Sequence, residues 1–247
     1  MVHTRMSALG WVIGGSETVV RSLLDALGPE GTLMAYASWA DHVYALEDWP
    51  AEHRVAYAAE PPRWDPAVGE VDRDYGRIPE RLRTWPGTLR SAHPEASVVA
   101  VGPRAEWLTA AHEDGYGAGS PFARLVEADG QVLMLGAPLE TITLLHHAEA
   151  IARAPGKRTV TYEIALADGR VRSYTDIETS HGAYPYESLG LDDDEFAVIA
   201  RDALAAGVGV RGTVGAAECH LFPAPELTAF AVAWIEARFG RTSTAAG

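Results

Sequence analysis

Apolar residues recur along the chain with two alternating periods. Val19, Val20, Leu23, Leu24 and Leu27 fall at helical spacing behind Gly14-Gly15-Ser16, with Ser16 as the expected N-cap. Gly28-Pro29-Glu30-Gly31 stops that helix, and residues 32–37 (TLMAYA) read as a buried strand. Residues 1–5 (MVHTR) read as the end of a strand entering a turn, so the start is a βαβ pattern that predicts a mainly parallel sheet. Downstream the pattern predicts a short helix over 76–83, a strand at 97–101, helices around 105–111 and 122–127, and a strand at 132–135. A Leu- and Ala-rich helix follows over 144–154, ended by Pro155-Gly156. Residues 159–166 and 171–177 alternate around Asp168-Gly169 as a hairpin. A helix over 192–206 carries acids at its positive end, and 212–222 (GTVGAAECHLF) reads as one strand. An amphipathic helix over 225–239 and a flexible tail at 242–247 close the chain. The fold class is α/β, a three-layer α/β/α arrangement with a mixed, mainly parallel central sheet in a single domain, 1–247.

Between residues 38 and 84 the periodicity disappears. This stretch holds Trp39, Trp49 and Trp64, several prolines, and acids that include Asp41, Glu47 and Asp48. A loop of that length inside a compact domain is either functional or disordered, and its aromatic content argues against disorder. It is expected to be a lid-like insertion on the substrate side, suited to a cationic, hydroxyl-rich ligand; a solvated lid anchored by tryptophans is the plainer alternative.

Charge and cysteine content narrow the picture. A net charge of −14 over 247 residues argues against a nucleic-acid partner and suits either plain solubility or a polycationic substrate. Cys219 is the only cysteine, so an intramolecular disulfide and a multi-cysteine zinc site are excluded. No apolar run is long enough to span a bilayer and no signal peptide is evident at the start, so a cytoplasmic location is expected, with no membrane partner.

The chemistry concentrates at 133–158, where an apolar strand breaks at Gly136 and Pro138 and a helix restarts near Thr141 or Thr143. His146 and Glu149, three residues apart, share one face of that helix. An imidazole and a carboxylate at a strand–loop–helix junction make a candidate acid–base pair, though the spacing taken alone is more simply that of a helix with satisfied, non-catalytic histidines.

Several longer words stand in order along the chain: GWVIGGSETVV (10–20), GPEGTLMAYASW (28–39), RSAHPEASVVAVGP (90–103), GSPFARL (119–125), LGAPLETITLLHHAEA (135–150), KRTVTYE (157–163) and GTVGAAECHLF (212–222). Together they resemble the aminoglycoside 3-N-acetyltransferases, the antibiotic acetyltransferases outside the GNAT fold, over nearly the whole chain. The LGAPL and KRxVTYE spellings resemble the branch acting on gentamicin-like and kanamycin-like drugs. One departure is that the chain starts inside the family's VHxSL word, with Arg5 where Ser is common. A shortened N-terminus is the expectation, and a missing strand there would leave a neighbouring edge exposed.

The resemblance implies acetyl transfer from acetyl-coenzyme A to the 3-amine of a 2-deoxystreptamine aminoglycoside, with no metal. It makes His146 the general base, Glu149 its orienting carboxylate and Thr143 an oxyanion donor. His147 reads as structural. His3, Thr4, Arg5, Ser120 and Thr143 are the candidates for holding the coenzyme, and Asp41, Glu47 and Glu163 for holding the drug's ammonium groups. Arg90 and His93 either contact the site or buttress it through buried hydrogen bonds. Lys157-Arg158 either meets the coenzyme's phosphate or forms a structural ion pair. Gly119 and Gly136 are expected to permit a tight turn or close backbone approach. Competing readings are a metal-dependent hydrolase, which the hundred-degree divergence of adjacent helical histidines disfavours, a non-catalytic member that binds cationic drugs, and an acetyltransferase for another amine. The protein is expected as a monomer or homodimer.

Overall fold

The computed structural model describes residues 1–39, 49–110, 112–191 and 194–240. In chain order the elements are β1 (Val2–Thr4), α1 (Gly15–Leu27), β2 (Leu33–Tyr36), α2 (Ala51–Ala59), α3 (Arg77–Arg83), β3 (Leu89–Arg90), β4 (Val98–Val101), α4 (Ala105–Thr109) and α5 (Pro121–Glu127). They continue with β5 (Gln131–Leu135), α6 (Leu144–Ile151), β6 (Thr159–Ala165), β7 (Val171–Ile177), α7 (Glu195–Ala205), β8 (Val210–Val214), β9 (Ala217–Pro223) and α8 (Ala224–Phe239). These gather into two compact units. One holds Met1–Trp11, Tyr116–Thr159 and the chain from Ile177; the other holds Val12–Gly115 and Val160–Asp176. Among the described residues no helix is long and apolar enough to cross a membrane.

In the first unit the strands lie in the order β1, β5, β9, β8. β1 runs parallel to β5, with Val2 opposite Leu133 and Thr4 opposite Leu135. β5 and β8 both pair antiparallel with β9. Val132, Met134, Leu135 and Phe222 are buried, as expected for strands covered on their faces. α8 packs against α5, α6, α7 and β9 and buries Leu227, Ala231, Trp234 and Ile235. Each of its large aliphatic side chains contributes roughly 1.5–3 kcal/mol through burial. The Trp234 indole donates to Asp202 of α7 at 2.8 Å, which fixes the rotation of one helix on the other.

The segment expected as one strand over 212–222 is instead the β8–β9 hairpin. Gly215 sits at its turn with φ +59°, and an added Cβ there would come within 2.6 Å of the Leu9 carbonyl oxygen. Val214 and Ala217 pair across the Gly215-Ala216 turn, and β8 is exposed along its whole length, so no apolar alternation marks where one strand ends and the next begins.

The second unit pairs β3, β4 and β2 antiparallel, with β6 and β7 as a separate two-stranded sheet. The α/β class and the mixed strand directions are as expected. Of the pairings whose register is described, β1·β5 is parallel and four are antiparallel. The connections within β3–β4 and β8–β9 are too short for a crossover, which forces the antiparallel sense. α1 is capped by Gly14, in the left-handed region at φ +81°, rather than by Ser16, which sits inside the first turn.

The stretch from 38 to 84 is more ordered than its lack of periodicity suggests. It contains α2 and α3, and α2 buries none of its residues, so it leaves no apolar stripe for a periodicity to register. Trp39 and Trp64 are buried with Tyr162, Ile164 and Tyr174 in one cluster, which anchors the segment. Residues 40–48, with Asp41 and Glu47, lie outside the described residues.

Candidate active site

β5 delivers the chain to Gly136, whose φ of +69° turns it sharply. A Cβ at this position would meet the Cβ atoms of Ala217 and Ala8 at 2.9 Å, so both the backbone angle and the space require glycine. A 3₁₀ turn at Leu139–Thr141 follows, then Thr143, then α6. Leu144, Leu145 and Ala148 are fully buried and bind α6 to the unit. Glu149 is buried on the side of Leu145, one turn on, while His146 beside it is partly exposed.

His146 Nδ1 lies 2.8 Å from Glu149 Oε2. A carboxylate can only accept, so Nδ1 carries the proton and the free lone pair is on Nε2. The His146 side chain is 19% exposed while that of Glu149 is 1% exposed, so the imidazole reaches solvent and its partner does not. Tyr116 and Phe196 flank the imidazole at ring distances of 5.0 and 4.7 Å. The other carboxylate oxygen, Oε1, accepts the Tyr186 hydroxyl at 2.8 Å. His147 points elsewhere. It is buried and donates from Nδ1 to the Tyr116 carbonyl at 2.7 Å, so the adjacent histidines take separate partners.

Thr143 is buried at the N-terminus of α6 and makes no side-chain capping bond there. The end of β1 lies against the same loop: Arg5 N donates to Leu135 O at 3.2 Å, and Thr4 bridges to Gly136. His3 Nε2 and Thr4 Oγ1 are buried without a hydrogen-bond partner among the described residues. Burial, with a smaller contribution from the N-terminal amine, pushes His3 down to about 3, so it is neutral. Orphaned polar atoms beside a glycine turn suit an amide-bearing ligand such as a pantetheine chain. Arg5 itself is exposed. Ser120 has a different setting: fully buried, it caps α5 by accepting from Ala123 N at 3.3 Å and donates to Gly117 O at 2.7 Å.

Lys157 donates to the Ala150 carbonyl at the end of α6 and lies over the Tyr184 ring at 5.9 Å. It therefore closes the helix C-terminus, where a cation is favoured. Burial lowers its pKa, against the opposing effect of Glu149 and Glu236. Arg158 pairs with Glu187.

In the second unit Glu163 is exposed on β6. Arg90 donates to the carbonyls of Gly69 and Ala37, and its guanidinium lies 4.6 Å from the Trp64 ring centre. Burial brings Arg90 down to about 10, with Arg83 adding to the effect and Glu80 opposing it. His93 is fully buried, accepts from Ala96 N at 3.0 Å through Nδ1, and sets Nε2 3.3 Å from Asp176 Oδ2, off hydrogen-bond alignment. Asp176 also receives Tyr162 OH at 2.6 Å and Gly115 N at 3.0 Å. Burial pushes its carboxyl up, but His93, Tyr162 and Gly115 together hold it below the ordinary range. Both residues of the RSAHP word are thus committed to internal hydrogen bonds, in the manner of a buttress.

Sequence reasoning missed Tyr186, Tyr116 and Phe196 around the pair. No local periodicity marks them, because each comes to α6 from a distant segment.

The sequence profile describing aminoglycoside 3-N-acetyltransferases matches residues 1–236. The chain belongs to that family. It is 52% identical over 247 residues to aminoglycoside N(3)-acetyltransferase VIII of Streptomyces fradiae, covering 97% of this chain and 86% of that protein. Its fold superposes on AAC-IIIb in binary complex with CoASH with a TM-score of 0.87 at 45% identity, covering 98% of this chain and 91% of the other. Sisomicin-bound AAC-VIa gives 0.86 at 38% identity, covering 97% and 91%.

Proposed function

We propose that this chain transfers the acetyl group of acetyl-coenzyme A to the 3-amine of 2-deoxystreptamine aminoglycosides and so confers resistance to them. The observation that carries the reading is the His146–Glu149 pair, with a solvent-reaching imidazole at 2.8 Å from a buried carboxylate, in a member of this family. His146 Nε2 takes the proton that the amine sheds as its nitrogen attacks the thioester carbonyl. Glu149 steadies the imidazolium that results. The tetrahedral oxyanion takes a hydrogen bond from Thr143, with the N-terminal dipole of α6 behind it. Collapse breaks the C–S bond, and the coenzyme thiolate leaves with the proton from His146.

The coenzyme's amide arm is read as lying along His3, Thr4 and Arg5, with Ser120 shaping the neighbouring Gly-rich loop. Asp41, Glu47 and Glu163 are read as the partners of the drug's ammonium groups, which suits a chain of net charge −14. The reading places the enzyme in the cytoplasm, where acetyl-coenzyme A is made.

The test is a panel of aminoglycosides with acetyl-coenzyme A, following free thiol, on the native chain and on His146→Ala. Thiol release by the native chain and a loss of at least about 10³-fold in the variant, with its circular dichroism unchanged, are expected. Near-native turnover in the variant removes His146 as the base. Binding of the drugs without any thiol release by the native chain removes the acetyl transfer.

A further inference from the structure

Glu149 has two oxygens and two partners, and only one of them is the imidazole. Oε2 faces His146 Nδ1, and Oε1 accepts the Tyr186 hydroxyl, each at 2.8 Å. We propose that Tyr186 is a positioning residue for the acetyl transfer, holding Glu149 so that one carboxylate oxygen stays committed to His146. The inference rests on the reading of His146 as the base.

The hydroxyl has little freedom. Tyr186 is buried, with its ring set against Phe239 at 5.4 Å and Tyr184 at 6.3 Å. Its backbone is held at both polar groups: Tyr186 N donates to Tyr184 O at 2.8 Å, and Leu191 N donates to Tyr186 O at 3.2 Å. Burial first, and then the charge of Glu149, raise the phenol far above its ordinary range, so it remains a donor at every assay pH. The carboxylate it serves is almost wholly out of water. Stripped of this donor, Glu149 is left with an unsatisfied oxygen in a dry site. It then either turns its oxygens away from Nδ1 or takes up a proton more readily, and both changes weaken the hold on the imidazole.

The same strap supplies the comparison for a merely structural role. Tyr184 precedes Tyr186 by two residues and stacks on the same Phe239 at 5.3 Å. Its hydroxyl, however, reaches the backbone carbonyls of Ala152 and Glu149, at 3.1 and 3.4 Å, and not the carboxylate. Loss of that hydroxyl loosens the end of α6 without touching the charge pair.

The experiment compares Tyr186→Phe with Tyr184→Phe, and Tyr186→Phe in the Glu149→Gln background, all in the full chain. Each phenylalanine removes one oxygen and keeps every ring contact. Thiol release with acetyl-coenzyme A and an aminoglycoside accepted by the native chain gives kcat and KM from pH 5.5 to 9, alongside thermal unfolding. For Tyr186→Phe the expected result is a fall in kcat of about tenfold with KM within about twofold, and an acid limb displaced from its native position. Tyr184→Phe is expected to lower Tm and leave the acid limb where it was. In the Glu149→Gln background, Tyr186→Phe should cause no further loss, because the charge it holds in place is gone and the amide is then free to turn its oxygen to Nδ1.

Three outcomes each overturn the proposal: native kcat and pH profile in Tyr186→Phe, the same pH shift in Tyr184→Phe, or the same factor of loss with and without Glu149. Those results would leave His146 as the base untouched. Retained turnover in His146→Ala would instead remove the reading on which the proposal rests.

Discussion

Replacing Glu149 by Gln keeps the shape of the side chain, removes its charge and inverts one hydrogen bond. The Tyr186 hydroxyl donates at Oε1, so it selects the amide oxygen for that position. The amide NH₂ is then presented to His146 Nδ1, 2.8 Å away in the native pair. An NH₂ cannot accept, so Nδ1 must, and the ring proton moves to Nε2, the atom that has to receive the amine's proton. Two losses follow. With charge centres about 4 Å apart and an effective dielectric constant of about 20, the imidazolium–carboxylate attraction is about 4 kcal/mol. Half-developed charge in the transition state makes this about 2 kcal/mol, or roughly 30-fold in rate. The inverted tautomer adds more; the equivalent change in serine-protease triads lowers kcat by about 10⁴. Glu149→Gln should therefore lose roughly 10²–10⁴ in kcat, with KM changed by no more than a few-fold. Its Tm should stay within a few degrees of native, because volume and the Tyr186 bond are kept. The assay is steady-state thiol release at neutral pH with thermal unfolding of the same samples. A kcat within about tenfold of the native value refutes the argument.

Two further outcomes concern stability. His3 is held down to about 3, chiefly by burial with a smaller contribution from the N-terminal amine, and is neutral in the fold; burial lowers His220 as well. The unfolded chain takes up those protons below about pH 6.5, so the stability due to neutral His3 is whole above that pH and declines as pH falls towards its folded value. Between pH 6.5 and 5 this amounts to up to about 2 kcal/mol for His3, and His3→Gln should flatten the fall in urea midpoint; parallel pH dependences in the two chains contradict it. Gly136→Ala forces φ +69° on an L side chain and drives a Cβ to 2.9 Å from those of Ala217 and Ala8. It should cost about 1–3 kcal/mol and lower Tm and turnover together, whereas an unchanged Tm would mean that the loop has slack.

How far the sequence spoke depends on whether the signal was local. α6 announced itself through Leu, Ala and the Pro155-Gly156 stop, and the three-residue spacing of His146 and Glu149 survived into a 2.8 Å contact. Tyr186 stands 37 residues from Glu149 and carries no periodicity that leads there. α2 was silent because it buries nothing, although Trp39 and Trp64 nearby are core residues. The β8–β9 turn was missed because β8 is exposed throughout and adds no apolar pattern of its own. The left-handed Gly14 at the start of α1 was passed over because Ser16 has the better capping side chain. Hydrophobic pattern reports burial along one element at a time, and these features are settled between elements.

β1 is synthesised long before β5, the strand it runs parallel to. The Met1 amine meets the Gln131 carbonyl across 130 residues, and β5 is the strand on which β1 lies. At ~5–20 residues per second, that partner emerges some ~6–26 seconds after β1 does. During that interval Val12–Gly115, most of the second unit, is already synthesised, while β1 still lacks its pairing with β5. Assembly of the junction that carries His146 is thus a late event in the life of the nascent chain.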